Sequence, residues 1–270
     1  MNGCITVVNL LLAATMVLLP AASATSSSII IAGEGPELPM IERLVRAFEK
    51  GHLGSVVEIR WDPSSRPVEL VKTGEAFFAV TGREAPDLTS IPIAWDGIAV
   101  VVDFTNPAKE VTSEQLAAMF SGKIKQWSEL GGPPVGIQLI DRPQNQHIRQ
   151  SFEETLGIVG QIAQSAKVAR SDQRAISTVA GNRAAVTYTS LGVALEAVTY
   201  GVDVSLLAID GVEAAEQTVK DGRYKLRRPV LLLSRKEPNP VAEAFIAFAL
   251  SKAGQEIVEE TFISYTSLNK

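Results

Sequence analysis

Beyond residue 26 the chain alternates short apolar runs with stretches whose apolar residues recur every three or four positions. Ser27 to Ala32 is apolar and β-branched, which predicts a buried strand. Gly33-Glu34-Gly35-Pro36 breaks it. Pro39 then opens a helix pattern, with Met40, Ile41, Leu44, Val45 and Phe48 spaced at about 3.6 residues. Val56 to Trp61 predicts a second strand. After Pro63-Ser64-Ser65-Arg66-Pro67 a short helix runs to Thr73 and stops at Gly74. Ala76 to Val80 is a third strand, ended by Thr81-Gly82-Arg83-Glu84. Strand, turn and helix repeated in this order is the pattern of a parallel α/β sheet. Further strands are predicted at Ile98 to Val102, Ile137 to Ile140, Ala185 to Tyr188, Ser205 to Ile209 and Val230 to Leu233. Helices are predicted at Ser113 to Phe120 (capped by Thr112 or Ser113), around Ile148 to Leu156, and at Leu191 to Val198, Pro240 to Leu250 and Ala253 to Glu260. Two α/β lobes of about 100–130 residues fit this strand count better than one sheet of nine or more.

The first residues follow another pattern. Met1 to Ala24 carries no charged side chain, and Ile5 to Leu19 is almost wholly apolar. That run is short for a bilayer span of about 20 residues. Ala22-Ser23-Ala24 is a small-x-small cleavage signature. Residues 1–24 therefore read as a secretory signal peptide cleaved after Ala24, which sends the product to the periplasm or outside the cell. No Lys or Arg precedes the apolar run, so an uncleaved anchor stays open as the alternative. Cys4, the single cysteine, lies inside this segment, and a chain without cysteine suits export to a periplasm.

Composition narrows the chemistry. The 270 residues are 46% hydrophobic and 20% charged, which excludes a largely disordered chain. A net charge of -5 without a basic block gives no support to nucleic-acid binding. One cysteine excludes cysteine-rich zinc and iron–sulfur sites, and His52 and His147 alone exclude most histidine-rich metal centres. No cofactor is expected. The serine-hydrolase elbow, the phosphate-binding loop of nucleotide triphosphatases and the zinc-protease helix motif are all missing, so no enzyme is predicted.

The turns after the strands are the informative places, because open α/β sheets bind ligands at the carboxyl ends of their strands. A helix N-terminus there offers free N–H groups to an anion. Gly35 lets the backbone approach a ligand closely, Ser64 and Ser65 offer hydroxyls, and Arg83 and Glu84 offer a cation and a carboxylate. Arg142 follows a strand directly, with Gln146, His147 and Arg149 leading into the next helix; an Arg fork can grip an oxyanion with two hydrogen bonds. Each has a structural alternative. A Gly-Pro turn can be only a turn, Ser64 and Ser65 can be helix caps, Arg83 and Glu84 a solvated ion pair, and His147 a surface or capping histidine.

Several stretches together resemble the phosphate-binding family of bacterial periplasmic solute-binding proteins. Asp96-Gly97-Ile98-Ala99-Val100-Val101-Val102 followed by Asn106-Pro107 resembles its crossover strand. Thr112 to Leu116, Met119 to Ile124 and Trp127 to Gly132 match its most diagnostic segment. Arg142 with Phe152 matches the spacing of its binding-loop motif, and Ala185 to Tyr188, Tyr224 to Val230 and Ala253 to Val258 match later signatures. The resemblance covers essentially the whole chain after the signal. It implies a two-lobed periplasmic-binding-protein fold of type 2, with two crossing strands joining lobes that close over a ligand. Lobe one would comprise residues 25–93 plus 226–270, and lobe two residues 94–225. It implies a monomer that captures phosphate or a related oxyanion and delivers it to an ABC permease in the inner membrane. Gly35, Ser64, Ser65, Arg83, Glu84, Arg142, Gln146, His147 and Arg149 would supply the site.

The chain departs from the family in its binding loops. Where the family's first loop is rich in Ser and Thr, this chain has Glu34, Gly35 and Pro36. Pro36 has no N–H to donate, and Glu34 would repel an anion if it faced the cleft. The family's Ser-Gly-Thr after the binding Arg is Gln146-His147-Ile148 here, and Glu84 stands where the family often has Asp. Two alternatives to phosphate uptake follow: the same scaffold with another small anion, or a sensing or partner-binding role outside transport. If Arg142 is a ligand group, its replacement by Ala is expected to abolish anion binding and barely move the melting temperature.

Overall fold

The computed structural model describes residues 27–62, 64–237 and 239–267. The signal-peptide reading of residues 1–24 lies outside the described residues. In chain order the first half contains β1 (Ser27–Gly33), α1 (Leu38–Gly51), β2 (Ser55–Trp61), α2 (Pro67–Thr73), β3 (Phe78–Thr81), β4 (Thr89–Asp103), β5 (Glu110–Val111) and α3 (Ser113–Phe120). Next come β6 (Gln138–Asp141), α4 (His147–Thr155), β7 (Lys167–Val168), α5 (Asp172–Val179), β8 (Ala185–Ser190) and α6 (Leu191–Thr199). The chain ends with β9 (Val204–Leu206), β10 (Ala208–Ile209), α7 (Glu216–Lys220), β11 (Arg227–Ser234), α8 (Pro240–Leu250), α9 (Lys252–Val258) and β12 (Ile263–Ser264).

Alternation along the strands sorts side chains into two faces. Ile29, Ile31, Phe78, Val80, Val230 and Leu232 join a core under α1, α8 and α9 with Met40, Leu44, Phe48 and Phe245. Ala32, Ala79, Leu231 and Leu233 face the other way and pack on Val71 of α2. A separate core gathers Ile98 to Val102, Phe120, Trp127, Phe152, Val186, Tyr188 and Leu226. Ten strands nevertheless form one continuous ladder, in the order β2-β1-β3-β11-β4-β8-β6-β7, with β9 and β12 on β4. The link is β4, whose 15 residues pair with β11 through Thr89–Gly97 and with β8 through Ile98–Val102. The fold is mixed α/β: β1 runs parallel to β2 and β3, and β6 parallel to β8, while β11 is antiparallel to both its neighbours.

Most predicted elements are present, several with longer bounds. Only the second part of β4 was legible, because Pro92 and Asp96 interrupt the apolar run of its first part. The predicted Ser205 to Ile209 strand is two short strands, one on β4 and one on β5. Helix α5 went unseen: its buried apolar residues are only Ala175, Ile176 and Val179, a weak pattern behind a Ser171 cap.

Candidate functional site

The turn after β1 and the turn after β6 face each other across the boundary between the two cores. The first is shaped by close approach. A Cβ on Gly33 would lie 2.3 Å from the Trp61 ring, and Trp61 Nε1 donates to the Gly35 carbonyl at 2.9 Å. Glu37 ends the turn as the residue that starts α1, fully buried.

At the centre lies Arg228, 1% exposed on β11. Strand register sets it opposite Asp96 of β4. Its Nη2 donates to Glu37 Oε1 at 2.7 Å and to Asp96 Oδ2 at 2.8 Å, and its Nη1 meets His147 Nδ1 at 2.6 Å. Arginine only donates, so His147 Nδ1 accepts and the ring proton sits on Nε2, 3.5 Å from Glu37 Oε2. Burial pushes the His147 pKa down, which keeps the ring neutral. Burial also pushes Glu37 up, but Arg228 and His147 outweigh it and bring its pKa to about 2. For Asp96 burial prevails over Arg228, its neighbour Glu37 adds to the rise, and the pKa reaches about 7 even though Ser190 Oγ donates to the carboxyl at 3.0 Å.

Glu34 is 6% exposed and crosses to the second turn. Its carboxyl accepts from the His147 N–H at 3.2 Å and from Asn145 Nδ2 at 3.0 Å. Burial raises its pKa to about 8, against the lowering effect of the His147 N–H.

The nine residues expected to bind ligand divide into three groups. Ser64, Ser65 and His147 line one cleft of about 760 Å³, together with Glu34, Arg66, Asn145 and Arg170. Ser64 Oγ is bonded to Asp62 and Ser65 Oγ to the Gly33 carbonyl. Gly35, Arg142 and Gln146 lie behind the Glu34 side. A Cβ on Gly35 would sit 2.2 Å from Glu37 Oε2 and 2.6 Å from His147 Nε2, so glycine is required for close approach. Arg142 is buried in an ion pair with Asp172 and donates to Gln146 Oε1 at 3.1 Å. Gln146 in turn donates to the Arg170 carbonyl. The third group stands away from the cleft. Arg149 pairs with Glu153 and Asp141, both at 2.8 Å. Arg83 makes a half-exposed bond to Glu154 at 2.6 Å. Glu84 borders a different cavity, of about 530 Å³, with Trp95 and Tyr265.

The sequence reading passed over Glu37, Asp96, Asp172 and Arg228. Arg228 is the second of two arginines that open β11 before its apolar run, a pair that by itself does not say which of them is buried. Buried at this boundary are four carboxyls (Glu34, Glu37, Asp96 and Asp172) against two guanidinium groups (Arg142 and Arg228). Buried charges need partners, and here the chain supplies them from itself. Among the described residues no group of three or more His, Cys, Asp and Glu side chains could hold a metal ion.

Comparison with known proteins gives a consistent family. A family model described as a PBP superfamily domain matches residues 20–253. The phosphate-binding protein PstS 2 of Streptococcus pneumoniae is 33% identical over 132 residues, 46% of this chain and 43% of that protein, so the match spans less than half its length. The phosphate-binding protein PstS of Bacillus subtilis is 24% identical over 255 residues, 90% of this chain and 82% of that one. A Clostridium perfringens structure with bound phosphate, ascribed to a phosphate ABC transporter substrate-binding protein, superposes with a TM-score of 0.79. It is 30% identical and covers 88% of this chain and 99% of its own.

Proposed function

The chain belongs to the PBP superfamily, in its phosphate-type solute-binding branch rather than among enzymes, and on that premise we propose that it captures phosphate or a related oxyanion outside the cytoplasm for an ABC importer. The observation that carries this reading is the cleft of about 760 Å³ into which the turns after β1, β2 and β6 converge, with the N-terminus of α4 in its wall. Ser64, Ser65, Arg66, Asn145 and Arg170 are among the polar residues that line it. Such a lining exchanges the hydration of an anion for fixed donors. Residues 25–93 plus 226–270 act as one lobe and 94–225 as the other, with β4 and β11 as the crossing strands. The monomer, released by cleavage after Ala24, presents its closed form to the permease.

A second reading keeps the scaffold and changes the anion. Arg142 already has Asp172, whereas Arg66, after β2, and Arg170, after β7, line the cleft without an ion-pair partner among the described residues. That arrangement favours a larger anion bridging the two.

Calorimetric titration of residues 25–270, unfolded and refolded to remove bound solute, separates these readings. Phosphate binding with rejection of larger organic anions supports the first. Binding of an organic phosphonate or carboxylate without phosphate supports the second. A folded protein that takes up no anion refutes both.

A further inference from the structure

Helix α4 spans nine residues, and its N-cap residue Gln146 makes no side-chain cap to it. Its first turn carries no acidic residue. A helix start has free N–H groups that need an acceptor. The acceptor found is Glu34, 113 positions earlier in the chain, on the opposite side of the boundary between the cores. Its second oxygen takes the Asn145 amide. The donors are backbone and amide groups of the turn after β6, and the carboxyl presents one oxygen to each.

We infer that the Glu34 carboxyl is an intramolecular occupant of the anion seat at the start of α4, which a captured oxyanion must displace. The seat's identity as an anion seat rests on the reading proposed above; the occupancy is a property of the chain by itself. Two further features fit. Glu34 lines the cleft of about 760 Å³ and also the smaller cavity behind it, of about 410 Å³, so the displaced side chain has space on either side. Its pKa of about 8 means that burial disfavours the charged form. A fully charged ligand would draw more from the same donors than this carboxyl does.

The test compares the wild-type protein with Glu34→Ala, Glu34→Ser and Glu34→Gln. Titration with inorganic phosphate, and with sulfate as a second anion, should show Kd falling by roughly tenfold to a hundredfold in the Ala and Ser variants. One charge-assisted hydrogen bond returned to the ligand corresponds to that span. Glu34→Gln keeps the length and an acceptor, so its gain should be smaller. Unchanged Kd in Ala and Ser overturns the inference. An equal gain in Gln also overturns it, because charge repulsion and not occupancy would then be the cause. A ligand-independent readout is the amide proton of His147 by NMR. In the ligand-free Ala and Ser variants it should move upfield as its acceptor is lost. If it moves while no variant binds either anion, the occupancy stands and the oxyanion reading falls. If it does not move, the occupancy falls whatever the titrations give.

Discussion

Replacing Arg228 with Met isolates the main electrostatic commitment of this fold. Met preserves most of the side-chain volume and removes the charge and every donor. Glu37 and Asp96, each 1% exposed or less, then face each other without the guanidinium that bridges them at 2.7 and 2.8 Å. Removing one partner of a buried pair costs about 3–5 kcal/mol, because the other charge stays buried and uncompensated. For a chain of this size that corresponds to a fall in Tm of roughly 6–20 °C. Asp96, with a pKa of about 7, already tolerates a proton near neutrality, so most of the cost falls on Glu37. In the wild type Glu37 has a depressed pKa of about 2, so its stabilisation is present above its ordinary value of 4.5 and is lost as pH falls through 2. Without Arg228 burial is left to push Glu37 upward, and the folded state gains stability by holding a proton. The difference between variant and wild type should therefore widen from pH 5 to pH 7. Urea unfolding of the ligand-free proteins at both values measures it. Adding Glu37→Gln and Asp96→Asn to Arg228→Met should recover much of the loss. A single-variant cost below about 1 kcal/mol at pH 7, or one independent of pH, would refute this account.

Other expectations follow from the same geometry. Arg142→Ala leaves Asp172 buried alone, so it should destabilise the ligand-free protein by about 3–5 kcal/mol, and Asp172→Ala in the same chain should restore part of that on thermal melting. This replaces the small effect expected from sequence, where Arg142 was read as a free ligand group. Glu34 and Asp96 have pKa values raised to about 8 and about 7, so their stabilisation is full below their ordinary values and is lost as pH rises toward 8. Urea unfolding between pH 4.5 and 8.5 should show a decline, on the order of 2–4 kcal/mol of it removed by Glu34→Gln. Gly35→Ala forces a methyl against Glu37 and His147, and should lower Tm and weaken any anion binding together; a variant of unchanged Tm would contradict the packing.

What the sequence disclosed depended on range. Helices α3 and α8 were legible to the residue, because Thr112 and Asn239 cap them locally and their apolar faces repeat within a few positions. The first three strands and their turns were legible for the same reason. Of the nine residues expected at a site, Ser64, Ser65 and His147, which follow strands or start a helix, line the cleft. The partners of the buried charges were not legible. Arg142 is 30 positions from Asp172, Arg228 is 132 from Asp96 and 191 from Glu37, and Glu34 is 113 from His147. Side-chain type announces that such a group needs a counter-charge, but only tertiary structure says whether a ligand or the chain provides it. At Glu34 and Gln146 the chain answers from within. Glu34 caps α4, and Gln146, released from that task, is spent on Arg142 and the Arg170 carbonyl. The two loops thus form one compensated unit. Changing either loop alone would strand donors or acceptors left in the other.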